Sequence, residues 1–595
     1  MTNIDDMNNI RKLIEKLSVN HIEELQNKSN YKNGDCEFSI GSEQLKDILN
    51  IIKENIDPAN FNDVSGGVEI LLKKYDSLYQ TSNQRLVSMV FNLLLTIFIN
   101  TTQLERQKYY HILLDTYYNN LNNFTTKWDG SERLPTREEF EAQIKDLVPY
   151  VKLDMVRHSE VQGKVKVLES VSELIEVLLY PQIFREDCYK IVTKTLGTSE
   201  YMFNKFEVAH SEGNPGLLGD YFKINIFFNF NNKDKIIRCF AKYLPVTNEI
   251  TILVAKASFK KEIFMYSTFM PLVLSLGIRE IKDVAPQCFL TKNDDCIVLE
   301  DLSFSKYVLK PIELHAEYDW LEMVTKQLAK LHASSWVYEE KMSAKSGKEI
   351  RISELFKENL KEYALNEHEP AGLALLQGCK FMVSYILEQF PDVTQGTELS
   401  ELKKMVKEAF KEMYKNVGES KKFRNVLCQG DIHANNILMK FNEDNKPESC
   451  KLIDYQLSRY CCPVVELLVQ LYLNTNKPNR EKYMKILLDV YHAELSRILS
   501  LYDIDINEIL NYTSFLEAVN QFRLTGICIA ATYAQILFIP KHLLQEMNTS
   551  PEKAVQYYTG DRKESLEQFM KHDSFKNKLK EMVQEMCNEI KRRNS

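Results

Sequence analysis

Residues 106–121 read RQKYYHILLDTYYNNL and residues 480–495 read REKYMKILLDVYHAEL, identical at nine of sixteen positions. The register continues upstream without a gap, where FNLLLTIFINT (91–101) lies over VELLVQLYLNT (465–475). Apolar residues recur at three- and four-residue intervals in both copies, so each copy is expected to be a pair of amphipathic or buried helices. An internal repeat governs every later fold assignment, because each copy is one structural unit. The upstream copy is preceded by no counterpart of two segments that precede the downstream one, CQGDIHANNIL (428–438) and LIDYQL (452–457). The N-terminal part is therefore expected to be a fragment of the downstream unit's helical end, without that unit's chemistry.

Between the copies the pattern changes. From about 218 to 256 run LLGDYFKINIFFNF, DKIIRCFAKYLPV and NEITILVAKA, β-branched and aromatic stretches divided by polar turns, which predict strands. FKKEIFMYSTFMPLVLSL (259–276) predicts a helix that Pro271 should kink or end. QCFLTKNDDCIVLEDL (287–302) predicts a hairpin, and from about 319 onward the pattern is mostly helical. Strands followed by helices imply an α+β chain in two lobes, not an alternating parallel-sheet protein.

The chain has 595 residues, a net charge of −8, 44% hydrophobic and 27% charged residues. That length implies more than one folding unit, and the acidic balance argues against a binder of nucleic-acid backbones. The start, MTNIDDMNNIRKLIEKL, lacks a basic stretch leading into an apolar core, so no signal peptide is expected. The longest apolar runs (86–99 and 524–539) are too short to span a bilayer. Twelve scattered cysteines without a C-x-x-C pair suit free thiols in a reducing, cytoplasmic setting.

Candidate chemistry concentrates in five places, in order along the chain. EGNPGLLGD (212–220) is a glycine-containing turn with Gly213, Gly216 and Gly219, FAKYLP (240–245) puts Lys242 on a strand, and FKKEIFMY (259–266) puts Glu262 on the next helix. CQGDIHANNIL then offers Asp431 and Asn436 five apart, and LIDYQL offers Asp454 behind two apolar residues. A carboxylate can take a proton from an attacking hydroxyl, and an asparagine oxygen can ligate a hard cation. Each residue alone also fits an ordinary turn or surface charge; the ordered set is what suits phosphoryl transfer. No G-x-x-x-x-G-K-[ST], H-E-x-x-H or G-x-S-x-G occurs, which removes the usual nucleotidase, metalloprotease and serine-hydrolase signatures.

Taken together KYLP with Lys242, KKEIFMY with Glu262, IVLEDL (297–302), LAKLHASS (328–335), QGDIHANNIL, LIDYQLSRY (452–460) and PVVELL (463–468) resemble the ecdysteroid-kinase-like family of the choline-kinase and aminoglycoside-phosphotransferase group. The resemblance covers about residues 181–595, and the segment through about 165 resembles the last part of such a kinase. It implies a two-lobed, protein-kinase-like fold behind an all-helical N-terminal fragment: residues 1–170 helical, 181–302 the nucleotide-binding lobe, 303–595 the helical lobe. It further implies ATP- and Mg2+-dependent transfer of the γ-phosphate to a hydroxyl of a small lipophilic molecule, an ecdysteroid or a related steroid or xenobiotic. Asp431 would be the base, Asn436 and Asp454 the Mg2+ ligands, and Lys242, held by Glu262, the contact to the phosphates. Glu300, Asp301 and Leu302 would form the adenine hinge, and the loop at Gly216 and Gly219 would cover the phosphates. The acceptor would lie among residues of about 350–400 and 510–545. Gln429 stands where the family has histidine, Tyr455 where it has phenylalanine and Glu466 where it has aspartate. Those departures motivate the alternative of a catalytically weak or inactive kinase-like protein that sequesters a lipophilic ligand. The sequence is silent on oligomeric state.

Overall fold

The computed structural model describes residues 12, 14–18, 42–56, 61–81, 84–125, 135–211, 220–244, 249–292, 295–394, 397–549, 557 and 562–594. The chain divides into two compact units, residues 1–210 with 222–239 and residues 211–221 with 240–595.

The first unit is built from helices α1 (Ser42–Asn55), α2 (Phe61–Thr81), α3 (Gln84–Asn100), α4 (Gln103–Thr125), α5 (Arg137–Ser159), α6 (Lys164–Leu179) and α7 (Arg185–Leu196). Strand β1 (Met202–His210) then pairs antiparallel with β2 (Asp220–Phe230). The apolar stripes expected at 91–101 and 106–121 do become helix faces, and Leu94, Ile97, Leu113, Tyr117, Phe140 and Leu174 form part of one buried core.

Strand β3 (Lys233–Tyr243) leads into the second unit, where β4 (Cys288–Lys292) and β5 (Cys296–Glu300) form the expected antiparallel hairpin. Within this unit the end of β3 borders β5, and the Leu244 N–H just past it donates to the Asp295 carbonyl at 2.9 Å. Helix α8 (Glu249–Phe264) begins inside NEITILVAKA, which the β-branched residues had marked as a strand. The strand expectation for that stretch is wrong: it continues into FKKEIF as one helix, and the tertiary setting overrides a weak local propensity. The expected break at Pro271 takes the form of a π-turn over Met265–Phe269, after which a short helix restarts at Met270 with the proline in its first turn.

Next come β6 (Tyr307–Leu309), α9 (Tyr318–Ser346), α10 (Pro370–Gln389), α11 (Leu399–Asn416), β7 (Val426–Cys428), β8 (Ile437–Phe441), β9 (Pro447–Leu452) and β10 (Arg459–Cys461). Helices α12 (Pro463–Asn474), α13 (Lys477–Ser500), α14 (Tyr512–Leu537) and α15 (Asp573–Asn594) close the chain. Two small antiparallel sheets, β6-β8-β9 and β10-β7, interrupt the helices where the sequence reading expected almost none. None of the eleven cysteines among the described residues is in a disulfide, and no helix among those residues is long and apolar enough to cross a membrane.

The repeat runs further than a gap-free comparison reveals, because contacts inside one bundle recur inside the other. The Arg106 guanidinium lies 4.7 Å from the Phe98 ring centre, and that of Arg480 lies 4.6 Å from that of Tyr472. Tyr117 stacks on Phe140 at 6.0 Å, as Tyr491 does on Phe515 at 5.9 Å. Arg106 pairs with Glu173 at 2.6 Å and Arg480 with Glu585 at 3.2 Å. Lys166 donates to the Thr101 carbonyl at 3.0 Å and Lys578 to the Thr475 carbonyl at 2.7 Å. Four helices therefore correspond, α3–α6 to α12–α15, and the longer connection between α14 and α15 hides the last of them from the sequence. One difference bears on chemistry: in the shared register Asn92 stands where the downstream copy has Glu466.

Candidate active site

The site is assembled inside the second unit from the ends of strands. Lys242, near the end of β3, is 5% exposed and Glu262 on α8 is 2% exposed. The Lys242 Nζ donates to Glu262 Oε2 at 2.6 Å and to Asp454 Oδ1 at 2.9 Å. The chain thus brings together three of the residues that the sequence singles out. Burial works against the Lys242 ammonium, but the charges of Asp454 and Glu262 outweigh it and hold its pKa well above the usual lysine value. Two carboxylates share one cation, so burial, reinforced by Asp454, pushes Glu262 up to about 7 against the pull of Lys242.

Asp454 follows β9 with φ +61°, a left-handed conformation uncommon outside glycine. Gln429 holds that turn. Its Nε2 donates to the carbonyls of Ile453 (2.9 Å) and Asp454 (2.8 Å), while its Oε1 accepts the Asp431 N–H at 2.8 Å. One side chain therefore ties the backbone of the Asp454 segment to that of Asp431, and the Ile453 N–H adds a bond to the Asn436 carbonyl at 3.0 Å. Gly430, with φ +88°, has to be glycine: a Cβ there would lie 1.9 Å from the Leu457 carbonyl oxygen.

Asp431 and Asn436 face each other across the loop. The Asn436 Nδ2 donates to the Asp431 carbonyl (3.0 Å) and to Asp431 Oδ2 (3.1 Å), which leaves its amide oxygen to other partners. His433 Nε2 lies 3.4 Å from Asp431 Oδ1 and 3.2 Å from Asn436 Nδ2. Burial opposes ionisation of Asp431, but His433, Arg459 and Asn436 together bring its pKa below the ordinary carboxylate value. The Asp431 side chain is thus an anion at neutral pH, the state a proton acceptor needs.

Behind the loop, Glu466 in the first turn of α12 accepts the N–H of Gln429 at 3.2 Å and of Gly430 at 2.6 Å. It also accepts from His332 Nε2 at 2.7 Å, whose Nδ1 meets the Tyr491 hydroxyl at 2.6 Å. Its two carboxylate oxygens thus meet two successive backbone amides.

The hinge candidates begin at the last residue of β5, next to the strand carrying Lys242. Glu300 donates its N–H to the Gln287 carbonyl at 2.8 Å, Asp301 Oδ1 accepts the Ser303 N–H at 3.0 Å, and the Leu302 carbonyl accepts from Ser305 (3.1 Å) and Tyr307 (3.2 Å). Gly216 and Gly219 lie outside the described residues. Residues that sequence reasoning did not assign to the site are His332, His433, Arg459 and Tyr533. Of these, the first three stand inside quoted motifs, whereas nothing local marks Tyr533.

The donor set suits Mg2+. The Asn436 amide oxygen and the Asp454 carboxylate are hard oxygen ligands, and only Oδ1 of Asp454 is engaged by Lys242. A family model described as the ecdysteroid kinase-like family matches residues 217–503. No curated protein matches the chain.

Proposed function

Over those matched residues the chain belongs to the ecdysteroid kinase-like family, and on that premise we propose that it is an ATP- and Mg2+-dependent phosphotransferase acting on a hydroxyl of a small lipophilic molecule such as an ecdysteroid, a related steroid or a xenobiotic. In this reading the protein is two-lobed behind a helical N-terminal fragment (1–170), with residues 181–302 binding nucleotide and 303–595 carrying the catalytic loop and the acceptor. The observation that carries the reading is the Lys242 ammonium held jointly by Glu262 and Asp454, with Gln429 fastening Asp454 to Asp431.

Lys242 contacts the α- and β-phosphates and Glu262 keeps it oriented. Asn436 and Asp454 would hold Mg2+, which would supply neutralisation of phosphate charge during transfer. Asp431 takes the proton of the acceptor hydroxyl as its oxygen bonds to the γ-phosphorus and the bond to the β,γ-bridging oxygen breaks, leaving ADP and a phosphate ester. Glu300, Asp301 and Leu302 would line the adenine. The alternative of an inactive binding protein drew on Gln429 and Glu466. Gln429 makes three hydrogen bonds and Glu466 two to backbone amides, an arrangement that favours a supported catalytic loop.

The test is phosphate transfer from radiolabelled ATP to a panel of ecdysteroids and sterols. Mg2+-dependent incorporation that Asp431→Asn abolishes supports the enzyme. Ligand binding with no incorporation by the wild-type chain supports the binding protein instead.

A further inference from the structure

A second polar cluster meets the catalytic loop at the Gly430 carbonyl, and the proposed phosphotransfer chemistry leaves it unused. Arg459, in β10 and five residues after Asp454, is 4% exposed. Its Nη2 donates to the Tyr533 hydroxyl at 3.0 Å, and that hydroxyl donates to the Gly430 carbonyl at 3.2 Å. Its Nε donates to the Leu457 carbonyl at 3.4 Å and pairs as an ion with Glu362 Oε2 at 3.2 Å. Glu362 Oε1 in turn accepts the N–H of Ala364 (2.8 Å) and Leu365 (2.9 Å), which shapes the loop between residues 356 and 369. Lys261, next to Glu262, donates to the Ser458 carbonyl at 3.0 Å, immediately before Arg459.

Each end of this chain of contacts is informative. Tyr533 lies on α14 and Glu362 on the 356–369 loop, both within the stretches expected to hold the acceptor. Gly430 precedes the proposed base, and Arg459 follows the proposed metal ligand. A guanidinium with fixed donors in one plane is suited to hold two partners at once at a set angle. Arg459 and Tyr533 (5% exposed) are both buried.

We propose that Arg459 and Tyr533 are positioning residues that couple the acceptor side of the helical part to the catalytic loop, Tyr533 fixing the Gly430 carbonyl and Arg459 fixing Tyr533 against Glu362. The inference rests on the phosphotransferase reading and adds to it a route by which the acceptor wall sets the aim of Asp431. Neither residue needs to touch ATP, so both should affect turnover and leave nucleotide affinity alone.

The experiment uses the full chain and MgATP, with hydrolysis read as transfer to water, in wild type, Tyr533→Phe, Arg459→Lys and Asp431→Asn. Tyr533→Phe keeps the ring and removes two hydrogen bonds, so kcat should fall about tenfold with KM for MgATP unchanged within twofold. Arg459→Lys keeps the charge but cannot hold both partners, and should give the same split. Thermal melting identifies any variant that loses its fold, and the isosteric phenylalanine variant then carries the test alone. A wild-type rate in Tyr533→Phe, beside an inactive Asp431→Asn, overturns this inference and leaves the kinase reading standing. Absence of MgATP turnover that depends on Asp431 in the wild-type chain overturns both.

Discussion

Replacing Glu466 by glutamine probes the support under the catalytic loop. Glu466 is 4% exposed and accepts the N–H groups of Gln429 and Gly430 at 3.2 and 2.6 Å, with His332 at 2.7 Å. A glutamine in the same place has one acceptor oxygen, so one of the two backbone N–H groups must face an NH2. A buried donor left unpaired costs roughly 1–3 kcal/mol, and a hydrogen bond to a charged acceptor contributes roughly 1.5–3 kcal/mol. A local destabilisation of about 3 kcal/mol follows. Because the two amides belong to the residues just before Asp431, a shift of about 1 Å in the loop would also lower turnover about a hundredfold. Hydrogen exchange at the 426–438 amides reads the first effect and MgATP turnover the second. Glu466→Asp should fall between wild type and glutamine on both. Wild-type protection at Gln429 and Gly430 together with wild-type turnover in Glu466→Gln would refute the reasoning.

Further consequences follow from the same geometry. Gly430→Ala places a Cβ 1.9 Å from the Leu457 oxygen at φ +88°, and should lower the unfolding free energy read from urea denaturation by more than the ~1 kcal/mol typical of a point substitution. Glu262, pushed up to about 7, keeps its proton in the folded chain after the unfolded chain has lost it near 4.5, so its contribution to stability is complete below that value and is lost as pH rises through about 7. Unfolding free energy should fall across that window, and Glu262→Gln should flatten the slope. In the first unit, Arg106→Ala leaves Glu173 buried and short of its nearest cation, and should destabilise that unit by about 3–5 kcal/mol, read as lost exchange protection in α3, α4 and α6.

What the sequence disclosed was local and ordered. Asp431 and Asn436 sit five apart, so their facing arrangement could be anticipated from one loop, and Lys242 and Glu262 stand out as a strand lysine followed by a helix glutamate. Pairwise similarity exposed the first two helices of the repeat because Arg106 and Arg480 lie in an unbroken register. Lys166 and Lys578 escaped it, since the connection before α15 is longer than that before α6. Gln429 looked like a loss, because a motif records identity and not reach; in space its amide meets three backbone partners at once. The Tyr533 hydroxyl meets the Gly430 carbonyl across 103 positions of chain, and no periodicity encodes such a contact. NEITILVAKA misled for the opposite reason, having strand-like residues in a segment whose continuation is helical.

Calorimetric titration of MgATP into the wild-type chain, Lys242→Met and Asp454→Asn tests the central claim most directly. The account predicts Mg2+-dependent binding to the wild-type chain, weakened at least about tenfold in each variant by loss of one charged contact. Binding that is absent in the wild type, or equal in all three proteins, would contradict it.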